Sequence, residues 1–90
     1  MSVLVNIPTT LRQLTGDQKK VEVHADNIGG VIEQLETNYP GIKARLVKEE
    51  RLHRFINIYV NDEDIRFSAE LKTVVKSGDE ITILPAVAGG

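Results

Sequence analysis

A single helical stripe between segments of alternating residues is the feature that most limits how this chain of 90 residues can fold. The apolar residues of the stripe recur at the spacing of one helical face, and they are Ile28, Val31, Ile32 and Leu35. Asp26 or Asn27 can cap the start of this helix. Pro40 ends it, because proline disfavours a helical conformation at the residue before it. The stripe therefore predicts one main helix with one apolar face.

Alternation of apolar and polar residues predicts the strands, since successive side chains of a strand point to opposite faces. The predicted strands cover residues 3–7, 20–24, 55–60, 65–67 and 80–84, with turns at 15–18, 61–64 and 77–79. Residues 42–46 are expected to add one helical turn, and residues 48–54 to form a charged surface connection. A helix and a sheet with one apolar face each must cover one another. The expected fold is α+β, a ubiquitin-like β-grasp with a mixed sheet of about four or five strands and one main helix.

Composition excludes several classes of function. The chain has no cysteine, so it can form neither a disulfide nor a thiolate metal site, and any sulfur that it handles cannot sit on its own thiol. Its net charge of −2 and scattered charges argue against nucleic-acid binding. No apolar run is long enough to span a membrane, and the first residues do not resemble a signal peptide. We expect a cytoplasmic protein that does not act on membranes.

The C-terminal residues indicate the chemistry. We expect a domain over residues 1–84 and a flexible, extended tail over residues 85–90, which read Pro85, Ala86, Val87, Ala88, Gly89 and Gly90. The tail has no charged side chain, and its two glycines allow another protein to approach closely. An alternative interpretation is a frayed chain end. A C-terminal carboxylate is a poor electrophile, so its use in acyl transfer needs activation, most simply by ATP. The chain has no phosphate-binding loop, so a partner enzyme must supply the ATP site.

Two long segments of the chain are distinctive: residues 52–67 read LHRFINIYVNDEDIRF, and residues 77–90 read SGDEITILPAVAGG. The first resembles the middle of the MoaD/ThiS family of sulfur carriers, and the second resembles the C-terminal end of that family. Residues 3–12 add to the resemblance, which therefore covers nearly the whole chain. Within the family, the chain is most similar to the carriers of cysteine biosynthesis.

The resemblance implies a reaction cycle in which this chain is a protein co-substrate and not a catalyst. An activating enzyme similar to ubiquitin E1 would adenylate Gly90, and a rhodanese-type or persulfide donor would convert it to a thiocarboxylate. A cysteine synthase that uses pyridoxal phosphate and O-phosphoserine would accept the sulfur, and a JAMM-type metallopeptidase would release the cysteine. The chain itself is expected to bind no cofactor.

Other members of the family leave alternatives open. The chain could instead be the small subunit of molybdopterin synthase, or it could donate sulfur to thiamin or to a thiolated natural product. A ubiquitin-like protein modifier that forms isopeptide bonds through Gly90 is a further alternative, because its chemistry is the same up to the adenylate. The tail looks the same for each of these functions.

A partner-docking surface is predicted on the face of the sheet opposite the helix. Strand alternation places four side chains there: Asn57, Tyr59, Thr82 and Leu84. Leu84, just before the tail, is the strongest candidate for a contact, although a partly covered edge residue would also explain it. No metal site is expected, because His24 and His53 are far apart and belong to no ligand motif.

Overall fold

The structure is a computed structural model that describes residues 2–49, 51–53 and 56–85. In chain order the strands are β1 (Ser2–Asn6), β2 (Lys20–His24), β3 (Val47–Lys48), β4 (Arg51–Leu52), β5 (Ile56–Val60), β6 (Glu63–Asp64) and β7 (Glu80–Pro85). The α-helices are α1 (Ile28–Asn38) and α2 (Ile42–Leu46), and 3-10 helices span Thr9–Thr15, Ile65–Phe67 and Glu70–Lys72. No helix of the described residues is long and apolar enough to cross a membrane.

The last strand lies in the middle of a mixed, five-stranded sheet with the order β2-β1-β7-β5-β6. Strand β7 runs parallel to β1 and antiparallel to β5, whereas β1 and β2 form an antiparallel pair, as do β5 and β6. Strands β3 and β4 form a separate two-stranded hairpin. Residue 85 is therefore the end of the central strand of the main sheet.

The core fills the space between α1 and one face of this sheet. The buried residues of α1 are the four of the predicted stripe, Ile28, Val31, Ile32 and Leu35. The sheet contributes alternate residues, among them Val3, Val5, Val21, Val23, Ile58, Ile81 and Ile83. The predicted α+β architecture, with one main helix on a mixed sheet, is confirmed. Burial on one side leaves the other face of the sheet uncovered by α1.

Side chains cap both α-helices. The Asn27 side chain accepts a hydrogen bond from the backbone N–H of Gly30 at 2.7 Å, which settles the cap of α1 between the two predicted candidates. Helix α2 begins after Gly41, which has no side chain to cap it. Glu36 of α1 fills that role by accepting backbone hydrogen bonds from Gly41 and Lys43. These hydrogen bonds lower the pKa of Glu36, and they join the two helices.

The structure corrects the prediction for residues 61–67. The return strand is β6 at Glu63–Asp64, and Ile65–Phe67 is a 3-10 helix instead of the predicted strand. Asn61 and Asp62 both have positive φ, which is typical of the tight two-residue turn that matches the twist of a hairpin, so pairing resumes at once. The Asp64 side chain then accepts a hydrogen bond from the backbone N–H of Arg66 and starts the 3-10 helix.

Two further boundaries differ from the sequence prediction. Residues 48–54, expected to be a charged surface connection, contain most of the β3–β4 hairpin, whose strands are too short to give a period-2 signal. Pro85, expected in the tail, is the last residue of β7 and lies opposite Ile56 of β5. Phe55 lies outside the described residues.

Asp79 connects the two turns at one end of the sheet. Its carboxylate accepts hydrogen bonds from the backbone N–H of Lys76 at 2.8 Å and from the side chain of Asn61 at 2.9 Å. The Asn61 side chain accepts in turn from the backbone N–H of Glu80. The bonds from Lys76 and Asn61 hold the pKa of Asp79 below its usual value of 3.8. A carboxyl group with a lowered pKa stabilises the fold fully at pH values above its usual pKa. This stabilisation is lost as the pH falls through the lowered pKa.

We expect Asp79→Asn to lower the free energy of unfolding at neutral pH by about 1 kcal/mol, because an amide cannot accept both hydrogen bonds. Below the pKa of Asp79 the wild-type carboxyl is protonated and therefore uncharged, like the asparagine of the variant. The difference in stability between the two proteins should then disappear. Urea unfolding at pH 7 and in acid, followed by circular dichroism, measures the difference in the free energy of unfolding between the two proteins. Asp26→Asn, at an exposed aspartate, is the matched control. A difference that stays constant with pH would contradict this role of Asp79.

Candidate functional site

The predicted reactive end of the chain lies beyond the last described residue. Ala86, Val87, Ala88, Gly89 and Gly90 are outside the described residues. What the structure defines is their point of attachment, Pro85, at the end of the central strand β7. The geometry of the candidate site is therefore that of the sheet surface around residues 84 and 85.

The four residues predicted for the docking surface lie side by side on the sheet. Asn57 is directly opposite Leu84, and Tyr59 is directly opposite Thr82, in the antiparallel pair of β5 and β7. Because their neighbours Ile58, Ile81 and Ile83 are buried against α1, these four side chains are on the opposite side. We call this side the open face. The structure brings the four residues together, as the alternation predicted.

The open face continues onto β1. Leu4 and Asn6 lie opposite Glu80 and Thr82 in the parallel pair of β1 and β7. The amide of Asn6 donates hydrogen bonds to the Glu80 carboxylate at 2.6 Å and to the Thr82 hydroxyl at 3.1 Å. Leu4 is 36% exposed and Leu84 is 45% exposed. The open face therefore combines exposed apolar side chains with a polar network that joins β1 to β7.

The surface beside the chain exit is not flat. A cleft of about 310 Å³ separates the end of β7 from the segment that follows β1. Its lining includes Pro8, Thr10 and Arg12 on one side and Leu84 and Pro85 on the other. Arg12 donates a hydrogen bond through Nε to the carbonyl oxygen of Ile7 at 3.1 Å.

On the other side of β7, Arg66 crosses the first residues of β5. Its guanidinium donates to the side-chain oxygen of Asn57 and to the carbonyl oxygens of Ile56 at 2.8 Å and His53 at 3.3 Å. Sequence reasoning missed both Arg12 and Arg66. The sequence pattern predicts a strand at Arg66, and Arg12 lies in the 3-10 helix Thr9–Thr15, which no pattern predicts.

A larger cleft, of about 730 Å³, lies between α1 and α2 and carries acidic residues on its rim. Two of them already serve the helix pair, since Glu33 forms an ion pair with Lys43 and Glu36 caps α2. Within residues 2–49, 51–53 and 56–85, no group of three or more His, Cys, Asp or Glu side chains is arranged to hold a metal ion. Glu33 and Glu36 are therefore used to hold the two helices together.

Comparison with known proteins assigns the chain to a family. The model of the ThiS family matches residues 5–90, so the match runs through the open face and the C-terminal glycines. The chain belongs to the ThiS family. The predicted relationship to the MoaD/ThiS carriers is confirmed.

Individual relatives agree with this assignment. The sulfur carrier protein CysO of Mycobacterium tuberculosis is 57% identical over 93 residues, and the alignment covers 100% of both chains. The crystal structure of the BexX/CysO complex of Amycolatopsis orientalis contains a chain that matches with a TM-score of 0.94 at 60% identity, covering 98% of this chain and 99% of that one. The small archaeal modifier protein 3 of Haloferax volcanii is 29% identical over 84 residues, with 90% of each chain covered.

These relatives confirm the predicted fold and the predicted class of function. The match to the CysO chain of the complex identifies the fold as a ubiquitin-like β-grasp. The family and the relative that is 57% identical are those of sulfur carriers, so this small protein is a sulfur carrier. The relative that is 57% identical is named as a carrier.

Proposed function

We propose that Gly90 is the residue that carries the sulfur, as a C-terminal thiocarboxylate, and that the acceptor pathway makes cysteine. The observation that carries this proposal is the family match, which extends through residue 90. The fold supports it, because the central strand β7 ends in Pro85 and only small, uncharged residues follow. Extended, residues 86–90 would reach about 17 Å beyond the domain, at ~3.3 Å per residue. That reach suits a narrow channel in a partner.

The chemistry requires partners at each step. The Gly90 carboxylate attacks the α-phosphorus of ATP, which forms an acyl-adenylate and releases pyrophosphate. A persulfide sulfur then attacks the carbonyl carbon, AMP leaves, and cleavage of the sulfur–sulfur bond by a second thiol leaves the thiocarboxylate. An E1-like adenylating enzyme would bind the ATP, and a persulfide donor would supply the sulfur. This chain acts as a co-substrate that presents its end to each of them.

The proposed acceptor is a cysteine synthase with pyridoxal phosphate bound to it. The support is the 57% identity with CysO. The match to a CysO chain that was crystallised in complex with BexX supports a protein partner in general. After the sulfur has been transferred, the new cysteine would remain attached to the carrier's end, and a JAMM-type metallopeptidase would release it. The cofactor and the metal ion both belong to the partners.

The test is charging in vitro. The chain is incubated with the adenylating enzyme of the same organism, ATP and a sulfide source, and its intact mass is measured. We expect one replacement of oxygen by sulfur, located at Gly90 by fragmentation. The charged protein should then give cysteine with O-phosphoserine and the synthase. An unchanged mass under conditions that charge the CysO relative would contradict the proposal.

We also propose that Asn57, Tyr59, Thr82 and Leu84 contact the adenylating enzyme. We expect Leu84→Glu to raise the KM for the carrier roughly tenfold, because a charge replaces an apolar contact at the interface. The measurement is ATP-dependent charging at several carrier concentrations. Val74→Glu, at another exposed apolar residue that pairs with Asn27 instead, is the control. Equal KM values for the two variants would contradict docking through the open face.

A protein modifier is the second candidate, favoured by the similarity to the small archaeal modifier protein. In that function the adenylated Gly90 would react with a lysine amine and form an isopeptide bond. Epitope-tagged carrier expressed in its own organism distinguishes the two functions. High-mass conjugates that disappear when Gly90 is removed indicate a modifier, whereas a thiocarboxylate without conjugates indicates a carrier alone.

A further inference from the structure

Two arginines flank the point where the central strand ends. Strand β7 has β1 on one side and β5 on the other. Arg12 belongs to the segment that follows β1, and it lines a cleft together with Leu84 and Pro85. Arg66 is held on β5, at residues that pair with the same two positions of β7. The exit of the tail is therefore bordered by a guanidinium group on each side.

Each guanidinium is held in place by backbone oxygens. Arg12 is half-buried, and its Nε donates to Ile7 at 3.1 Å, so the group is fixed to the end of β1. Arg66 is more exposed, but two carbonyl oxygens and the Asn57 side chain accept its hydrogen bonds. Fixing the side chains in advance reduces the entropy that they would lose when a partner binds.

Within the described part of the chain, neither arginine forms an ion pair with an acidic side chain. Among residues 2–49, 51–53 and 56–85, the ion pair formed is that of Glu33 with Lys43, on the two α-helices. Asp64, the acidic residue nearest to Arg66 along the chain, accepts a hydrogen bond from the backbone of Arg66 through one oxygen. The chain carries a net charge of −2, so the positive charge beside the exit is opposite in sign to the net charge of the molecule.

We propose that Arg12 and Arg66 form a two-point clamp for acidic side chains of the adenylating enzyme. The carboxylates would border the channel that receives the tail, one on each side. This inference rests on the proposed function. The tail has no charged side chain, so it cannot by itself set the orientation in which the carrier approaches. Charges at two separated points on the domain can set that orientation and speed the encounter, and arginine suits planar pairing with carboxylates.

The experiment compares Arg12→Gln, Arg66→Gln and the double variant with wild type. Arg45→Gln is the matched control, because it removes the same charge from an exposed position on α2. Binding of the fluorescently labelled carrier to the adenylating enzyme without ATP is measured by anisotropy at several salt concentrations, and charging is measured by intact mass. We expect each single variant to weaken binding roughly three- to tenfold at low salt, with kcat for charging unchanged. The double variant should also lose most of the salt dependence.

Lysine variants separate a charge effect from a structural one. Arg12→Lys and Arg66→Lys keep the charge but lose the guanidinium, so they should retain more affinity than the glutamine variants. If lysine and glutamine weaken binding equally, or if Arg45→Gln weakens it as much, the clamp is wrong. If wild type is charged and both glutamine variants bind as tightly as wild type, the clamp is also wrong while the proposed function stands. A wild-type chain that binds with arginine-dependent affinity but is never charged would instead overturn the proposed function and leave the clamp intact.

Discussion

Leu35→Ala is expected to lower the free energy of unfolding by about 3 kcal/mol, since truncating a buried leucine loses its transfer free energy and leaves a cavity. Leu35 is fully buried, and it lies on the face of α1 that packs against the sheet. A domain of this size has a total stability of roughly 5–15 kcal/mol, so the variant would lose a large share of it. Urea unfolding followed by circular dichroism measures the change in midpoint.

The matched control is Gln34→Ala, one residue earlier on the exposed side of the same helix. It changes the helix surface without opening a cavity, so its free energy of unfolding should stay within about 0.5 kcal/mol of wild type. A loss of less than 1 kcal/mol for Leu35→Ala would contradict the central position given to α1. It would mean that the sheet is stabilised mainly by contacts other than the helical stripe.

The parts of the fold that could be predicted are those in which one face of an element is buried. Burial imposes a period on the sequence, and the stripe of α1 and the alternation of β5 and β7 both carry it. The same alternation placed Leu84 and Asn57 together on the open face, because strand register keeps neighbouring side chains on one side. The ThiS relationship could also be predicted, since the sequence around these strands and the terminal glycines is distinctive.

The parts that could not be predicted depend on contacts between segments that are distant in sequence. Arg66 reaches the carbonyl oxygens of residues 53 and 56 only because the β5–β6 turn brings the chain back at once. Arg12 lines the cleft beside Leu84 and Pro85 because an unpredicted 3-10 helix follows β1. Neither position carries a periodic signal of its own. Charged residues of this kind become interpretable only once strand order is known.

Strand order also bears on how the proposed carrier would present its C-terminal end to a partner. The end of the chain leaves from a central strand whose two neighbours, β1 and β5, are both hydrogen-bonded to it. A partner that pulls on the tail therefore pulls on the middle of the sheet and not on an edge strand that could peel away. If residues after 85 enter a partner's channel as proposed, the domain would hold its shape, and recognition and chemistry would be separated.

That separation leads to the second large effect, which concerns the last residue. Removing Gly90 should abolish formation of the thiocarboxylate, because the new terminal residue ends one position, about 3.3 Å, short of the partner's ATP site. A misplacement of about 1 Å can already cost roughly a hundredfold in rate. The measurement is intact mass after incubation with the adenylating enzyme, ATP and sulfide. Pyrophosphate release is followed in the same reaction.

The stability of this shortened chain separates a lost substrate group from a damaged fold. The described domain ends at Pro85, and its core lies between α1 and the sheet, so the urea midpoint should equal that of wild type. Addition of an alanine after Gly90 is the complementary control, since it keeps both glycines but moves the carboxylate outward. Both variants should still compete with wild type for the adenylating enzyme, because the open face and the two arginines are unchanged. Charging of the shortened chain at the wild-type rate would show that the reactive carbonyl is not that of Gly90.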